Sequence, residues 1–481
     1  MLLVRSQHYL CRFTKSMIHS RSITSSTLYV HWPYCRKRCT YCNFNKYISN
    51  SVDHDRMKTC LIKEASTLIS QSRAQVITSV FFGGGTPSLA EPATFQSLIE
   101  SVARDNVLSE DAEISMEVNP TAFQAHQLKD FKEAGINRVS IGVQTLKSNG
   151  LNILGRDHSV QESLNCLEAA STLFPRKVSL DLIFGWPGQT MDMWIEELKQ
   201  LQSLSVHTMT CQILHVCDKH LSLYQLTVEK GTQLYSQVQS GKLQVADTGL
   251  SEDMYLHAVQ FLEQNGFERY EISNFAKEGQ YCQHNMSYWN GGEYIGVGPG
   301  AHGRFQPNGK YEREARIQTL SPEAWMKEVE IRGHGTRSIV PLSLHERLEE
   351  LLVVGLRTKW GISHKAWSLL CPNQSLAALT QYTEFQQYFD SGLLEINSSG
   401  LRASNEGMNI IDTIIVDSTV PPQQWYCLQH CVHHSRQSLK LSWSAAVFQV
   451  DSVLPEPCHI KSVDDLAPQL TAWYDVCDWG P

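Results

Sequence analysis

The chain has 481 residues, a length that calls for two or three domains, and its formal net charge of −8 excludes a nucleic-acid protein built on a global basic field. No apolar run approaches the roughly 18 residues that a membrane-spanning helix needs. Fourteen cysteines are scattered along the chain rather than gathered in a short secreted framework, which favours a reduced intracellular compartment.

Residues 1–27 contain Arg5, Arg12, Lys15 and Arg21, several hydroxyl side chains and no acid; the first carboxylate is Asp53. A basic, hydroxyl-rich, acid-free leader reads as a mitochondrial targeting segment and is set apart from the fold. From 28 to 215, short β-rich runs alternate with helical patterns. The strands read as "TLYVHW", "QVITSVFF", "EISMEV", "RVSIGV", "KVSLDLIF" and "HTMTCQIL". Between them, Pro92 sits near the first turn of a helix, where its missing N–H costs nothing, and Gly135 is placed as a C-cap. Six β/α units with apolar, β-branched strands make an α/β fold with a parallel sheet covered by helices, and six are too few for a full eight-fold barrel. The expectation is a partial (β/α)6 barrel with its working residues at the C-terminal ends of the strands.

Residues 216–320 form an expected α+β extension, rich in Gly and Tyr, that carries "HNMSYWNGGEYIGVGPGAHG". A third region, 321–420, opens with a cap and proline at Ser321–Pro322. It contains a capping-box spacing at Ser343 and Glu346, and its helices followed by a hairpin read as a winged-helix-like module for packing or interaction. The tail, 421–481, has weak periodicity and reads as a divergent extension or poorly ordered sequence. Its Cys427, Cys431, His433 and His434 have zinc-like spacing, here taken as coincidental.

Chemistry concentrates at Cys35, Cys39 and Cys42, a CxxxCxxC triad in the loop after the first strand. Three thiolates without a near fourth suit an iron–sulfur cluster with one open iron; with His31 as a fourth ligand the same loop would serve zinc. Arg36, Lys37 and Arg38 flank the thiols and are expected to lower their pKa values. "FFGGGTPS" follows the next strand and offers backbone N–H groups to a carboxylate or phosphate. Glu117, Gln144, Arg156 and Asp181 all fall at or near the same rim.

CxxxCxxC together with GGGTP resembles the radical S-adenosylmethionine (SAM) superfamily. "EVNP", "IGVQ", "LGRDH", "DLIFGWPGQT", "LYQLTVEKGT" and "CQHNMSYWNGGEYIGVGPGAHG" narrow the resemblance to the HemW haem-chaperone family, over roughly 28–415. The basic leader places it beside that family's mitochondrial members. The resemblance implies a 4Fe–4S cluster on Cys35, Cys39 and Cys42, whose open iron SAM would close. Tyr29, Tyr41, Gly85 and Thr86 would line the SAM site, with Glu117, Gln144, Arg156 and Asp181 facing the cofactor. His284, in the HNxxYW motif, would ligate haem, with Cys282 as a rival ligand and Tyr288 and Trp289 stacking on the porphyrin. Related coproporphyrinogen III dehydrogenases carry CxxxCxxCxC, whereas Phe44 fills the last slot here. The implied function is therefore a haem chaperone rather than that decarboxylase, which is the alternative. Its partners would be haem, acceptor haemoproteins such as respiratory-chain cytochromes and a second copy of the chain, with no nucleic acid.

Overall fold

The computed structural model describes residues 24–49, 51–104, 107–203 and 219–418. Most of the leader, the run expected as the sixth strand (207–214) and the tail with its Cys and His cluster lie outside the described residues.

Six strands run parallel and side by side in chain order: β1 (Ser25–Trp32), β2 (Val76–Gly84), β3 (Leu108–Val118), β4 (Arg138–Gln144), β5 (Val178–Phe184) and β6 (His220–Gln225). Two expected boundaries move. The first strand opens at Ser25, inside the span assigned to the leader, and the strand pairing with β5 begins at His220, past 215. The intervening helices start where short polar side chains can satisfy their open N–H groups. Asp53 accepts from Arg56 N, and Ser159 with Glu162 forms a capping box. The helices His54–Gln71, Pro92–Arg104 and Val160–Leu173 send apolar residues such as Leu61, Phe95 and Leu167 into one core with the strands. Phe82 and Phe95 stack there at 3.9 Å between ring centroids. Each such fully buried side chain contributes about 1.5–3 kcal/mol.

The opposite strand face is polar. Ser115, Ser140, Ser179 and Ser222 line a small chamber inside the curve of the sheet, together with Arg138 and Asp181. Small hydroxyls leave room within the barrel and keep its charged groups hydrogen-bonded: Arg138 donates to Ser179 Oγ at 3.1 Å and Ser140 to Asp181 Oδ2 at 2.7 Å.

The extension is not a separate layer. Its strands β7 (Glu268–Glu271), β8 (Asn274–Ala276), β9 (Glu293–Val297), β10 (His302–Phe305) and β11 (Glu314–Gln318), followed by β12 (Thr336–Pro341), lengthen the barrel sheet at both edges. The order is β12-β11-β10-β9-β1-β2-β3-β4-β5-β6-β8-β7, with β9 parallel to β1 and the outer strands antiparallel. The helix Pro322–Arg332, expected to open the third region, belongs to the barrel. Its Trp325, Met326 and Val329 enter the barrel core, and Trp325 Nε1 donates to Glu64 Oε2 at 2.9 Å.

The winged-helix-like module follows. The Ser343–Glu346 capping box forms and opens the helix Leu344–Leu356. Helices His364–Leu370 and Thr383–Asp390 pack with a three-stranded sheet, β13 (Ile362–Ser363), β15 (Gly400–Ala403) and β14 (Leu394–Ile396), in that order. Leu348, Trp367, Phe385 and Leu401 form its separate core. No helix among the described residues is long and apolar enough to cross a membrane.

Candidate functional site

The C-terminal ends of β1 to β5 open into a cleft of about 730 Å³. Cys35, Cys39 and Cys42 all line it, as do Tyr41, Gly85, Thr86, Glu117, Gln144, Arg156 and Asp181. The cysteine loop is tied down on several sides. Thr40 N and Oγ1 donate to Leu154 O and Ile153 O at 3.1 and 2.8 Å, and Lys46 Nζ donates to Cys42 O. Thr86 Oγ1 lies 3.3 Å from Cys35 Sγ, and Gly85 N donates to Trp32 O at 2.7 Å. A Cβ on Gly85 would fall 2.8 Å from the Pro33 carbonyl carbon, so only glycine lets the two loops meet.

Facing the thiols are two carboxylates, a guanidinium and an amide. Glu117 Oε2 accepts from Gly84 N at 3.1 Å. Burial, and then neighbouring Asp181, pushes its pKa up to about 8. Burial raises Asp181 to about 6 against the opposing pull of the Ser140 and Ser222 hydroxyls. Arg156 spans the cleft wall, donating to Asn119 Oδ1 at 2.7 Å and Gly142 O at 3.2 Å, and reaching Tyr41 Oη at 3.3 Å and Cys39 Sγ at 3.4 Å. Gln144 has φ 65°, a left-handed conformation costly for a side-chain-bearing residue. A Cβ on Gly142 would meet Gln144 Nε2 at 2.6 Å, so this glycine makes room for the folded-back amide.

Both polar atoms of the Gln144 amide and Nε of Arg156 are buried without a hydrogen-bond partner. A protein rarely leaves such groups unmet, and here they share one cleft beside three thiols. That donor set fits a zwitterionic cofactor next to a cluster. Among the described residues no three His, Cys, Asp or Glu side chains converge on a single metal ion. His31 does not face the thiols as a fourth ligand: its Nε2 bonds Asn45 O at 2.8 Å and its Nδ1 bonds the Tyr29 hydroxyl at 3.1 Å. A cluster of several irons holds its thiolates farther apart than one ion does.

The structure gives several of the expected residues other surroundings. Tyr29 does not line the cleft; it lies deeper in the barrel, stacked on Phe81 at 6.3 Å between centroids. Arg36, Lys37 and Arg38 are exposed, and they are not among the groups that shift Cys35 or Cys42. Burial dominates, pushing Cys35 up to about 11 and raising Cys42 as well, so a bound cluster would have to displace those protons. His284 is wholly buried, with Nδ1 2.7 Å from Ser79 Oγ and Nε2 2.7 Å from the Tyr288 hydroxyl. Its ring stacks on Phe81 at 5.0 Å, and burial pulls its pKa to about 3. Both nitrogens are engaged, so this geometry offers neither to iron. Cys282 is equally enclosed, its thiol 3.6 Å from Glu113 Oε1. Glu113 also accepts from Gln283 N at 2.8 Å, anchoring the motif helix Gln283–Trp289 inside the barrel.

Sequence reasoning missed Ser140 and Gly142 as cleft residues. Their signal was available: small residues alternating with Val139, Ile141 and Val143 along one strand.

Residues 29–201 match the family described as the Radical SAM superfamily, and 342–410 the HemN C-terminal domain. The chain is 48% identical over 427 residues to "Radical S-adenosyl methionine domain-containing protein 1, mitochondrial" of Danio rerio, covering 86% of this chain and 94% of that relative. It is 34% identical over 342 residues to "Heme chaperone HemW" of Bacillus subtilis, covering 71% and 85% respectively. In fold it is similar to coproporphyrinogen III oxidase (HemN) of Escherichia coli, with a TM-score of 0.67, 18% identity and coverage of 83% of this chain and 91% of that one. This superfamily implies a 4Fe–4S cluster and SAM, which the donor set of the cleft fits. The chain therefore belongs to the radical SAM superfamily, as a mitochondrial member of the group that includes the domain-containing protein 1 relatives and HemW.

Proposed function

We propose that the protein is a haem chaperone, binding haem and delivering it to acceptor haemoproteins from a scaffold that holds a 4Fe–4S cluster and SAM. Cys35, Cys39 and Cys42 would hold the cluster. Glu117, Asp181, Gln144 and Arg156 would receive the ammonium, carboxylate and hydroxyl groups of SAM, with Tyr41, Gly85 and Thr86 shaping the wall. When bound, the pair supplies reductive cleavage chemistry to radical SAM proteins. The residues of this chain exclude water, fix the loop and set charge around it.

The observation that carries the chaperone reading is Phe44, standing where the related dehydrogenases place another cysteine. It lines both the cofactor cleft and a wide groove of about 2200 Å³ beside it. The name of the HemW relatives supports the same reading. That groove also favours a second reading, oxidative decarboxylation of coproporphyrinogen III, because it adjoins the cofactor cleft and shares Tyr41, Cys42 and Phe44 with it. Anaerobic cluster reconstitution, haem titration and an assay with coproporphyrinogen III and SAM separate the two. Saturable haem binding without protoporphyrinogen IX formation is expected; conversion of the substrate would overturn the chaperone reading.

A further inference from the structure

A second cleft, of about 900 Å³, shares no lining residue with the cofactor cleft. It lies where the end of the HNxxYW helix meets the C-terminal module. Tyr288 and Trp289 of the motif line it, and the Tyr294 ring packs edge-on to Tyr288 at 4.5 Å between centroids. Leu351, Leu369 and Leu370 supply an apolar wall, and Leu369 is 76% exposed although it borders a recess.

The charge at this cleft is lopsided. Arg304, Arg313 and Arg347 line it with one carboxylate, Glu350, a balance of 3 − 1 = +2. Arg304 and Arg313 share that carboxylate at 2.9 and 3.7 Å. Arg347 does not join them. Arg313 Nη1 and Nη2 donate to Gly291 O and Gly292 O at 3.2 and 2.7 Å, while the Nε atoms of Arg313 and Arg347 and the indole N–H of Trp289 are buried without a hydrogen-bond partner. Burial and then the nearby Arg313 lower the Arg347 pKa against the opposing pull of Glu350 and Glu293, the mark of a crowded cation.

An aromatic floor, a leucine wall and two surplus guanidinium groups match a flat apolar ring that carries carboxylates. We infer that this cleft holds the tetrapyrrole, with its ring against Tyr288, Trp289 and the leucines and its propionates on Arg313 and Arg347. The inference rests on the haem-binding reading and deepens it by naming the site. Among the described residues that line the cleft there is no His, Cys or Met, so recognition is by ring and carboxylates rather than by iron.

The test uses the full chain, titrated with haem by absorbance and with metal-free protoporphyrin IX by tryptophan quenching. Both bind, with affinities within about threefold of each other. Arg347→Gln weakens both about tenfold or more, the equivalent of one lost charge-assisted hydrogen bond of about 1.5–3 kcal/mol. Arg347→Lys recovers part of the loss, and Leu351→Glu blocks both ligands. Circular dichroism checks that each variant folds. The dimethyl ester of protoporphyrin binds wild type and Arg347→Gln alike. Wild-type haem binding that Arg347→Gln and Leu351→Glu leave unchanged overturns this site while leaving the chaperone reading intact. Absence of haem binding to wild type overturns that reading, and arginine-dependent protoporphyrin binding then still upholds the cleft.

Discussion

Arg156 is the side chain on which the cofactor cleft most depends, and replacing it with glutamine gives the sharpest test of the site. Its guanidinium satisfies Asn119 Oδ1 at 2.7 Å and Gly142 O at 3.2 Å, and it reaches the Tyr41 hydroxyl and Cys39 Sγ. Glutamine is too short to span these acceptors. The two shorter bonds set the magnitude, since a buried acceptor left unmet costs about 1–3 kcal/mol. Contacts at 3.3–3.4 Å add little. Part of the loss falls on folding of the cleft wall and part on the cofactor, whose seat beside Gly142 and Gln144 the arginine defines. An affinity loss of about 2–3 kcal/mol corresponds to roughly 30–150-fold weaker SAM binding. The assay is calorimetric titration of SAM into anaerobically reconstituted protein, with iron and sulfide content measured on the same samples. Arg156→Lys keeps the charge but cannot reach all four acceptors, and it recovers less than half of the loss. If Arg156→Gln loads a full cluster and binds SAM within threefold of wild type, the assignment of this wall to the cofactor is wrong.

Replacing Cys35, Cys39 and Cys42 together with alanine abolishes the visible absorbance of the reconstituted cluster; survival of that absorbance refutes the triad. His284→Asn costs about 2–4 kcal/mol of stability through the lost Ser79 and Tyr288 bonds and the emptied space beside Phe81, read as a lower denaturant midpoint. It leaves the iron-ligand bands of bound haem unchanged, and a changed spectrum in the folded variant would restore His284 as a ligand. Glu64 accepts from Gly298 N, Gly335 N and Trp325 Nε1 at 2.8, 2.6 and 2.9 Å, so Glu64→Leu strands three buried donors and costs more than Glu64→Gln by about 2 kcal/mol or more. Equal unfolding midpoints would contradict this. The Glu117 and Asp181 pKa values are raised on folding, to about 8 and about 6, so the folded state without cofactor holds protons that the unfolded chain releases. The stability they supply is complete below the unfolded carboxylate range and is lost as pH rises from there to about 6 for Asp181 and about 8 for Glu117, by up to about 1.4 kcal/mol per pH unit per group. Unfolding midpoints from pH 5 to 9 should fall less steeply for Glu117→Gln, and an unchanged slope would refute the shift.

What the sequence could convey divides along the physics of strands and helices. Period and punctuation are local, so five of the parallel strands, the Pro92 helix and the Ser343 capping box were readable from the residues themselves. The rim placement of Glu117, Gln144, Arg156 and Asp181 followed too, because every parallel strand delivers its C-terminal end to the same side. Depth below that rim is harder to read. Tyr29 lies three residues before the end of β1, about 10 Å at the rise of an extended strand, and that places its ring below the cleft. The surroundings of the HNxxYW histidine are hard to read for a different reason. Its i, i+4 spacing to Tyr288 is a local signal for a pair on one helix face, and the pair forms. The Ser79 and Phe81 contacts that complete its burial come from a strand some 200 residues away, and no local pattern announces them. Arg304, Arg313 and Arg347 were invisible on the same ground. They belong to β10, a loop and a helix of the next module, and only the packing of that module on the sheet turns three ordinary surface arginines into one field. The motif thus has two ends of unlike surroundings. His284 points inward and holds the helix in the barrel, while Tyr288 and Trp289, at the other end of the same short helix, line the cleft that holds the three arginines.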